Sequence, residues 1–222
     1  MIRPVELATA AGIKRYEGAG SAAALDALGL AGGSWEVELG FGKGRFLLDR
    51  AAAEPERRFL GVEVAREYFA LVARRLARRR LANVALLHGE ALYLLSAVLP
   101  RRFAEAVHVY FPDPWPKSRH QRRRLFSPAS VDLVLGLLGA GGRLAFATDF
   151  LDYGEEVAAL LARYPGARLV RRSDWPEGPR TNYEAKYVAE GRPILRLEVE
   201  LDGPAGLHPE GRLGVLAAVG GD

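Results

Sequence analysis

Two short stretches of the chain carry residue types at spacings that could do chemistry. In the first, Tyr110-Phe111-Pro112-Asp113-Pro114-Trp115-Pro116-Lys117, three prolines in five residues keep the backbone extended or turned, and stiff. A stiff loop would fix Asp113, Trp115 and Lys117 in place. These are a carboxylate that accepts hydrogen bonds, an indole that can stack on a base, and an ammonium that can meet a phosphate. Trp115 would serve equally as a plug at the edge of the core. Ser118-Arg119-His120-Gln121-Arg122-Arg123-Arg124 follows directly, so residues 117–124 hold four Arg and one Lys. A basic run is often only a solvated face. Beside a rigid polar loop it suits the phosphates of a nucleic-acid backbone, for which Arg is the better fork.

The second stretch is Glu38-Leu39-Gly40-Phe41-Gly42-Lys43-Gly44. Glycines permit positive φ and close approach of a ligand. A nicotinamide site wants its third Gly three residues after the second, but Arg45 stands there and the third Gly is Gly44. The P-loop pattern is absent. Pyrophosphate would be repelled by Glu38, whereas a cofactor with an ammonium and a sulfonium would tolerate it. The pattern therefore points to S-adenosylmethionine, with a ligand-free strand-to-helix turn as the plainer alternative. Glu63 lies 19 residues beyond Gly44 and could accept hydrogen bonds from both ribose hydroxyls, or simply open a helix. Glu90, in HGEA, could meet the adenine amino group or cap the next helix.

These groups need elements to position them, and the hydrophobic pattern supplies strands and helices in strict alternation. Strands are expected at Trp35–Leu39, Phe59–Glu63, Val84–His88, Ala106–Phe111, Gly142–Thr148, Ala167–Arg171 and Ile194–Leu201. Helices are expected at Arg45–Ala53, Arg66–Arg80, Ala91–Leu99, Ser127–Leu138 (capped by Ser127, with Pro128 in its first turn) and Tyr153–Arg163. Such alternation means parallel crossovers and a sheet covered on both faces, an α/β fold. Ligands then bind at the carboxyl ends of the strands, in loops 40–44, 63–66, 89–91, 111–124 and 148–152. Asp149 (ATDF) sits in the last of these. Thr181-Asn182-Tyr183-Glu184 is polar, but its spacing alone assigns no role. Arg74, Arg75, Arg78, Arg79 and Arg80 read as a solvated helix face that could extend a nucleic-acid footprint.

Composition narrows the classes further. The 222 residues are 49% apolar and 26% charged, so the chain should fold as one domain over 1–222. The core would span about 35–201, with a weakly patterned, Ala/Gly-rich N-terminal arm over 1–30 and C-terminal tail over 202–222, either frayed or packed on the sheet edge. No Cys is present, which excludes disulfides and thiolate chemistry, and the four His show no metal-ligand spacing. There is no apolar run of membrane-spanning length and no secretory signal pattern in the first 30 residues. The net charge is only +4, and of the 31 basic residues 27 are Arg, an excess that background composition largely accounts for.

ELGFGKG, VEV, YFPDPWPKSRHQRRR, ATD and TNYEAK, in this order over roughly 35–200, resemble the bacterial tRNA (guanine-N7-)-methyltransferases. PDPWPKSRHQRR is much the most specific of these motifs. The resemblance implies a class I, Rossmann-like methyltransferase fold: a three-layer sandwich around a seven-stranded, mostly parallel sheet whose last strand is antiparallel. It implies cofactor contacts at Glu38, Glu63, Glu90 and Asp113 beside Gly40, Gly42 and Gly44, with Asp113 also the active-site residue. Substrate positions would be Lys117, Asp149, Thr181, Asn182, Tyr183 and Glu184. Arg119, His120, Arg122, Arg123 and Arg124 would contact RNA. The family often reads Asp where Glu90 stands, and Phe where Tyr110 and Tyr183 stand. The implied enzyme is cytoplasmic, monomeric or homodimeric, uses S-adenosylmethionine to form 7-methylguanosine at guanine 46 of tRNA, and needs neither metal nor membrane. On the residues alone, a methyltransferase for small molecules or proteins and a non-catalytic RNA-binding module remain the competing readings.

Overall fold

A computed structural model describes residues 5–16, 21–203 and 205–206 of the chain, with the side chains of 21–24 left aside. Much of the expected tail and part of the expected arm lie outside the described residues. The expected strands form as β3 (Trp35–Leu39), β4 (Arg58–Glu63), β5 (Val84–His88), β6 (Ala104–Tyr110), β7 (Leu138–Thr148), β8 (Ala167–Arg172) and β9 (Leu195–Leu201). They lie in the order β5-β4-β3-β6-β7-β9-β8. Strands β3 to β7 pair in parallel, and β9 pairs antiparallel with both β7 and β8. The seven-stranded expectation therefore holds for this part of the sheet.

Among the described residues the sheet has nine strands, because part of the weakly patterned arm makes a hairpin. Strands β1 (Val5–Thr9) and β2 (Gly12–Tyr16) pair with each other, and β1 adds antiparallel to the edge of β5. Val5, Leu7 and Ala8 are buried while β2 is mostly exposed. One apolar strand face suffices to join the sheet when its backbone pairs with an existing edge.

Helices cover both faces. On one, α2 (Arg45–Ala53) and α3 (Arg66–Arg79) bury Leu47, Leu48, Phe69, Val72 and Leu76 against Phe59, Val84 and Leu86. On the other, α4 (Ala91–Ala97), α5 (Val131–Gly136) and α6 (Leu151–Ala162) pack on the larger core around Val37, Leu60, Val107 and Phe146. A short helix, α1 (Ser21–Leu28), precedes β3, and α7 (Asn182–Ala189) follows β8. Helix α5 begins four residues later than expected. Ser127 and Ser130 hydrogen-bond to each other (2.8 Å) and Ser130 Oγ donates to the Leu125 carbonyl, which holds 127–130 in a turn. Ser127 thus organises a turn rather than capping a helix. β7 starts four residues earlier than expected, with a register irregularity opposite Ala104–Ala106 that its Gly-rich 139–142 segment absorbs.

Candidate functional site

The strand order reverses at β3, whose neighbours are β4 on one side and β6 on the other. Open parallel sheets leave a crevice at such a point, outside the carboxyl ends of the strands. β3 and β6 pair with Glu38 opposite His108, so Gly40–Gly44 and Tyr110–Pro112 leave adjoining strand ends. The two stretches singled out by their chemistry are brought to one crevice by topology alone.

Gly40, Gly42 and Gly44 all have positive φ, at 83°, 49° and 72°. A Cβ on Gly40 or Gly42 would meet open space, whereas one on Gly44 would come within 2.8 Å of Val72. The first two glycines therefore leave room above the turn, and the third lets the turn rest on α3. Glu63 braces the same turn: its carboxylate accepts from the Gly42 N–H (2.8 Å) and the Ala65 N–H (2.8 Å). Glu38 is buried, and its Oε2 has no hydrogen-bond partner. Burial pushes its carboxyl up to about 8, against a backbone hydrogen bond from Leu47, and the nearby Glu63 charge adds to the rise. An unpartnered buried carboxylate oxygen, beside backbone that leaves a cradle open, fits a ligand bearing a cationic donor. Glu90 caps α4, accepting from the Leu92 and Tyr93 N–H groups at 3.0 and 2.7 Å.

The proline-rich loop leaves β6 with Phe111 at φ 52° and bends again at Trp115, φ 41°. Two non-glycine residues in the left-handed region mark a backbone over-determined by its surroundings. One such determinant is Arg124. Although expected to contact RNA, it is only 6% exposed. Its guanidinium donates to the Pro114 carbonyl (2.8 Å) and to Glu156 of α6 (2.5 Å), 4.7 Å over the Tyr153 ring. It straps the proline-rich loop to the scaffold, a positioning strut rather than the expected RNA contact. Residues Ser118–Arg123 form a 3-10 helix on which Arg119, Arg122 and Arg123 are exposed and His120 is half-buried. Trp115 neither plugs the core nor stands free. It packs edge-on against His120 at 5.8 Å, with Arg123 5.0 Å over its ring. Asp113 and Lys117 are exposed at the loop surface.

Replacing Arg124 by Gln should cost about 2 kcal/mol, the usual worth of hydrogen bonds to a charged group. At roughly 2–4 °C per kcal/mol for a domain of this size, Tm should fall by about 5 °C. Arg122→Gln should leave Tm unchanged. Equal Tm values for the two variants would remove the strut.

The segment 181–184 gains its meaning from tertiary contacts. Thr181 caps α7 by accepting from the Glu184 N–H (3.1 Å). Glu184, expected to touch substrate, is 0% exposed. Its oxygens are engaged inside the protein, by Arg196 Nε at 2.7 Å and by the Arg180 N–H at 2.8 Å. It anchors the segment rather than facing the crevice. Tyr183 is exposed and lies with Tyr187 and Phe111 in a ring cluster, centroids 5.5–6.4 Å apart. Arg45 of α2 reaches the Thr181 carbonyl at 3.4 Å, so α7 is tied to the start of α2 beside the glycine turn. Asn182 is exposed at the start of α7, and Asp149 is half-buried after β7.

A buried network escapes a reading of the sequence. Arg180 Nη1 donates to the Tyr110 hydroxyl (2.8 Å), which also lies 2.8 Å from His108 Nδ1. Arg180 stacks on Trp175 at 3.9 Å. His108 Nε2 stands 2.8 Å from Glu36, off the line of a good hydrogen bond. Burial lowers the His108 pKa below its ordinary value against the Glu36 charge, so the ring is neutral. With its proton on Nε2, facing the Glu36 carboxylate, the ring leaves Nδ1 to accept from the Tyr110 hydroxyl, which itself accepts from Arg180. Tyr110 leads into the proline-rich loop and Arg180 adjoins segment 181–184, so this pair sets the two against each other. The only sequence signal is Tyr at a position where the resembling family often has Phe.

No helix among the described residues is long and apolar enough to cross a membrane, and no cluster of three His, Asp or Glu among them could hold a metal ion.

Residues 34–197 match the family model described as "Putative methyltransferase". The chain is 39% identical over 169 residues to the tRNA (guanine-N(7)-)-methyltransferase of Nitrosococcus oceani, covering 75% of this chain and 72% of that one. It is 36% identical over 165 residues to that of Alkalilimnicola ehrlichii, covering 72% and 70%. Among solved structures, the 16S rRNA methyltransferase KamB superposes with a TM-score of 0.61 at 15% identity, over 88% of this chain and 99% of that one, a likeness of fold.

Proposed function

Because the chain belongs to the tRNA (guanine-N7-)-methyltransferase family, we propose that it transfers a methyl group from S-adenosylmethionine to N7 of a guanine in tRNA. By resemblance that guanine is position 46 of the variable loop, and S-adenosylhomocysteine is the other product. The unpartnered Glu38 oxygen beside the open glycine turn is the observation that carries the donor assignment. Glu38 would hold the donor's ammonium, Gly40 and Gly42 would let it lie against backbone, and Glu63 would take the ribose hydroxyls with its remaining lone pairs. Glu90, committed to its cap, would reach adenine only through such spare acceptor capacity. Bound there, S-adenosylmethionine supplies an electrophilic methyl on sulfur.

Guanine N7 carries an in-plane lone pair and no proton, so no side chain has to deprotonate it. The chain's task is then orientation and proximity. Asp113, on a loop held by prolines and by Arg124, accepts hydrogen bonds from the guanine edge or the donor's amino group and fixes the line of attack. Phe111, Tyr183 and Tyr187 offer ring faces to an extruded base. Lys117, Arg119, Arg122 and Arg123 meet the backbone, while Asp149, Thr181 and Asn182 supply polar contacts around the base. N7 lies on the deep-groove edge of an A-form helix, where side chains cannot easily reach, which suits a target in a loop.

Incubation with methyl-labelled donor and unmodified tRNA transcript, followed by mapping of the labelled nucleotide, tests this. Label at one variable-loop guanine is expected. Label on small amines or protein but not on tRNA would overturn the acceptor, and donor binding without any transfer would overturn catalysis.

A further inference from the structure

Many of the arginines on this protein are neutralised locally. Arg50, Arg57, Arg168, Arg171, Arg172 and Arg196 each touch a carboxylate. The groove of about 530 Å³ on the sheet face, into which several of them open, is lined by such pairs. Several basic side chains among the described residues have no carboxylate partner, Arg80, Arg102 and Arg143 among them, and two groups of such side chains flank the crevice. One is Lys117 with Arg119, Arg122 and Arg123, already assigned. The other is Lys43, in the glycine turn, with Arg74, Arg75 and Arg78 of α3.

None of these four has a carboxylate within ion-pair distance among the described residues. Lys43, Arg74 and Arg78 are exposed, and Arg75 is half-buried, donating to the Lys43 carbonyl at 2.7 Å. That bond and the Gly44–Val72 contact join the turn and α3 into one surface. Arg74 and Arg78 are neighbours one helical turn apart, a like-charge pair that destabilises an isolated helix. Arg79, one residue on, has the partner they lack, Asp49 at 2.8 Å. The one acid on the same side of α3 is Glu67, in the first turn. The strand order places the two groups on opposite sides of the crevice: α3 follows β4, and residues 117–123 follow β6. A cluster of uncompensated charge, joined to the glycine turn and across the crevice from the first basic group, is shaped for a second stretch of a large polyanion.

We propose that Lys43, Arg74, Arg75 and Arg78 form a second phosphate-binding surface, which grips the backbone of the same folded tRNA on the far side of the crevice from Lys117–Arg123. This rests on the tRNA reading above. It makes the bound RNA straddle the glycine turn rather than lie along one side of it.

The test compares Arg74→Gln/Arg78→Gln with Arg168→Gln/Arg172→Gln, whose arginines are paired, in the full chain. The first double variant should raise KM for tRNA transcript about tenfold. The dependence of log binding on log salt should become shallower by roughly two, at about 0.9 for each phosphate that is no longer neutralised. Tm should not fall, and S-adenosylmethionine affinity should not change. The paired control should alter neither KM nor the salt slope. An unchanged salt slope with tRNA KM within twofold of the parent overturns the second surface while leaving tRNA as substrate. An equal loss in the control reduces the effect to net charge and overturns it too. A parent protein that fails to methylate tRNA at all refutes the underlying reading instead.

Discussion

Replacement of Asp113 by Ala should lower methyl transfer to tRNA by about a hundredfold or more, the scale on which misplacing a reacting group costs an enzyme. Affinity for S-adenosylmethionine should fall much less, because Glu38, Glu63 and the glycine turn are untouched. Asp113 is exposed on its loop, so its loss leaves no hole in the core, and Tm should stay with the parent. Asp113→Asn separates two roles. If the side chain only accepts hydrogen bonds from a base edge or an amino group, the amide keeps one acceptor oxygen and a substantial part of the rate. If its charge is needed near the developing cation, Asn is as poor as Ala. Single-turnover rates with tRNA, measured beside calorimetric binding of the donor, decide this. Near-parental turnover in the Ala variant would remove Asp113 from the active site.

The second large effect is expected at Glu38. Its carboxyl, raised to about 8 by burial, is mostly protonated at neutral pH in the free protein. A cationic donor group beside it favours the ionised form. Binding S-adenosylmethionine at pH 7 should therefore release a proton, and affinity should tighten as pH rises from about 6 through 8 and then level off. Calorimetry in two buffers of different ionisation heat reads that proton directly. Glu38→Gln removes one member of a buried charge pair, which typically costs 2–5 kcal/mol, so donor affinity should drop at least about thirtyfold. Stability should move the other way. The folded carboxyl keeps a proton that the unfolded chain gives up near 4.5. Its contribution to stability is thus intact below about 4.5, declines as pH rises to about 8, and is flat beyond. The Gln variant lacks that decline and should gain on the parent toward alkaline pH. Absence of proton release, together with parental affinity in the Gln variant, would detach Glu38 from the donor.

Some of these features are legible in the chain as written and some are not, and the division follows distance along the chain. The glycine turn, Glu38, Glu63 and the proline-framed Asp113 are legible because each is a local arrangement: a turn conformation, a strand end, a backbone stiffened by its own residues. The seven core strands are legible for the same reason, since an apolar run followed by a helical period is written in consecutive residues. Glu90 shows where locality stops helping. Both a ligand contact and a helix cap are consistent with HGEA, and only the fold shows that its carboxylate meets two N–H groups of α4. For the N-terminal residues the sequence leaves a frayed arm and an element on the sheet edge equally open, because β2 is almost wholly exposed and β1 depends on β5, far along the chain, for its pairing.

The amino-acid sequence by itself determined the alternating α/β architecture, the glycine turn with its acids and the rigid aspartate loop, because short-range sterics and periodicity dictate these. Tertiary structure alone decided which charges are available. Arg124, in the middle of a basic run, is spent on Pro114 and on Glu156, 32 residues away. Glu184 is spent on Arg196, and Tyr110 meets Arg180 across 70 residues. Arg74 and Arg78, which look like ordinary solvated surface in the sequence, are left without a carboxylate partner. A charge works on a ligand only if no nearer partner neutralises it, and the identity of that partner is set by the folding of the whole chain.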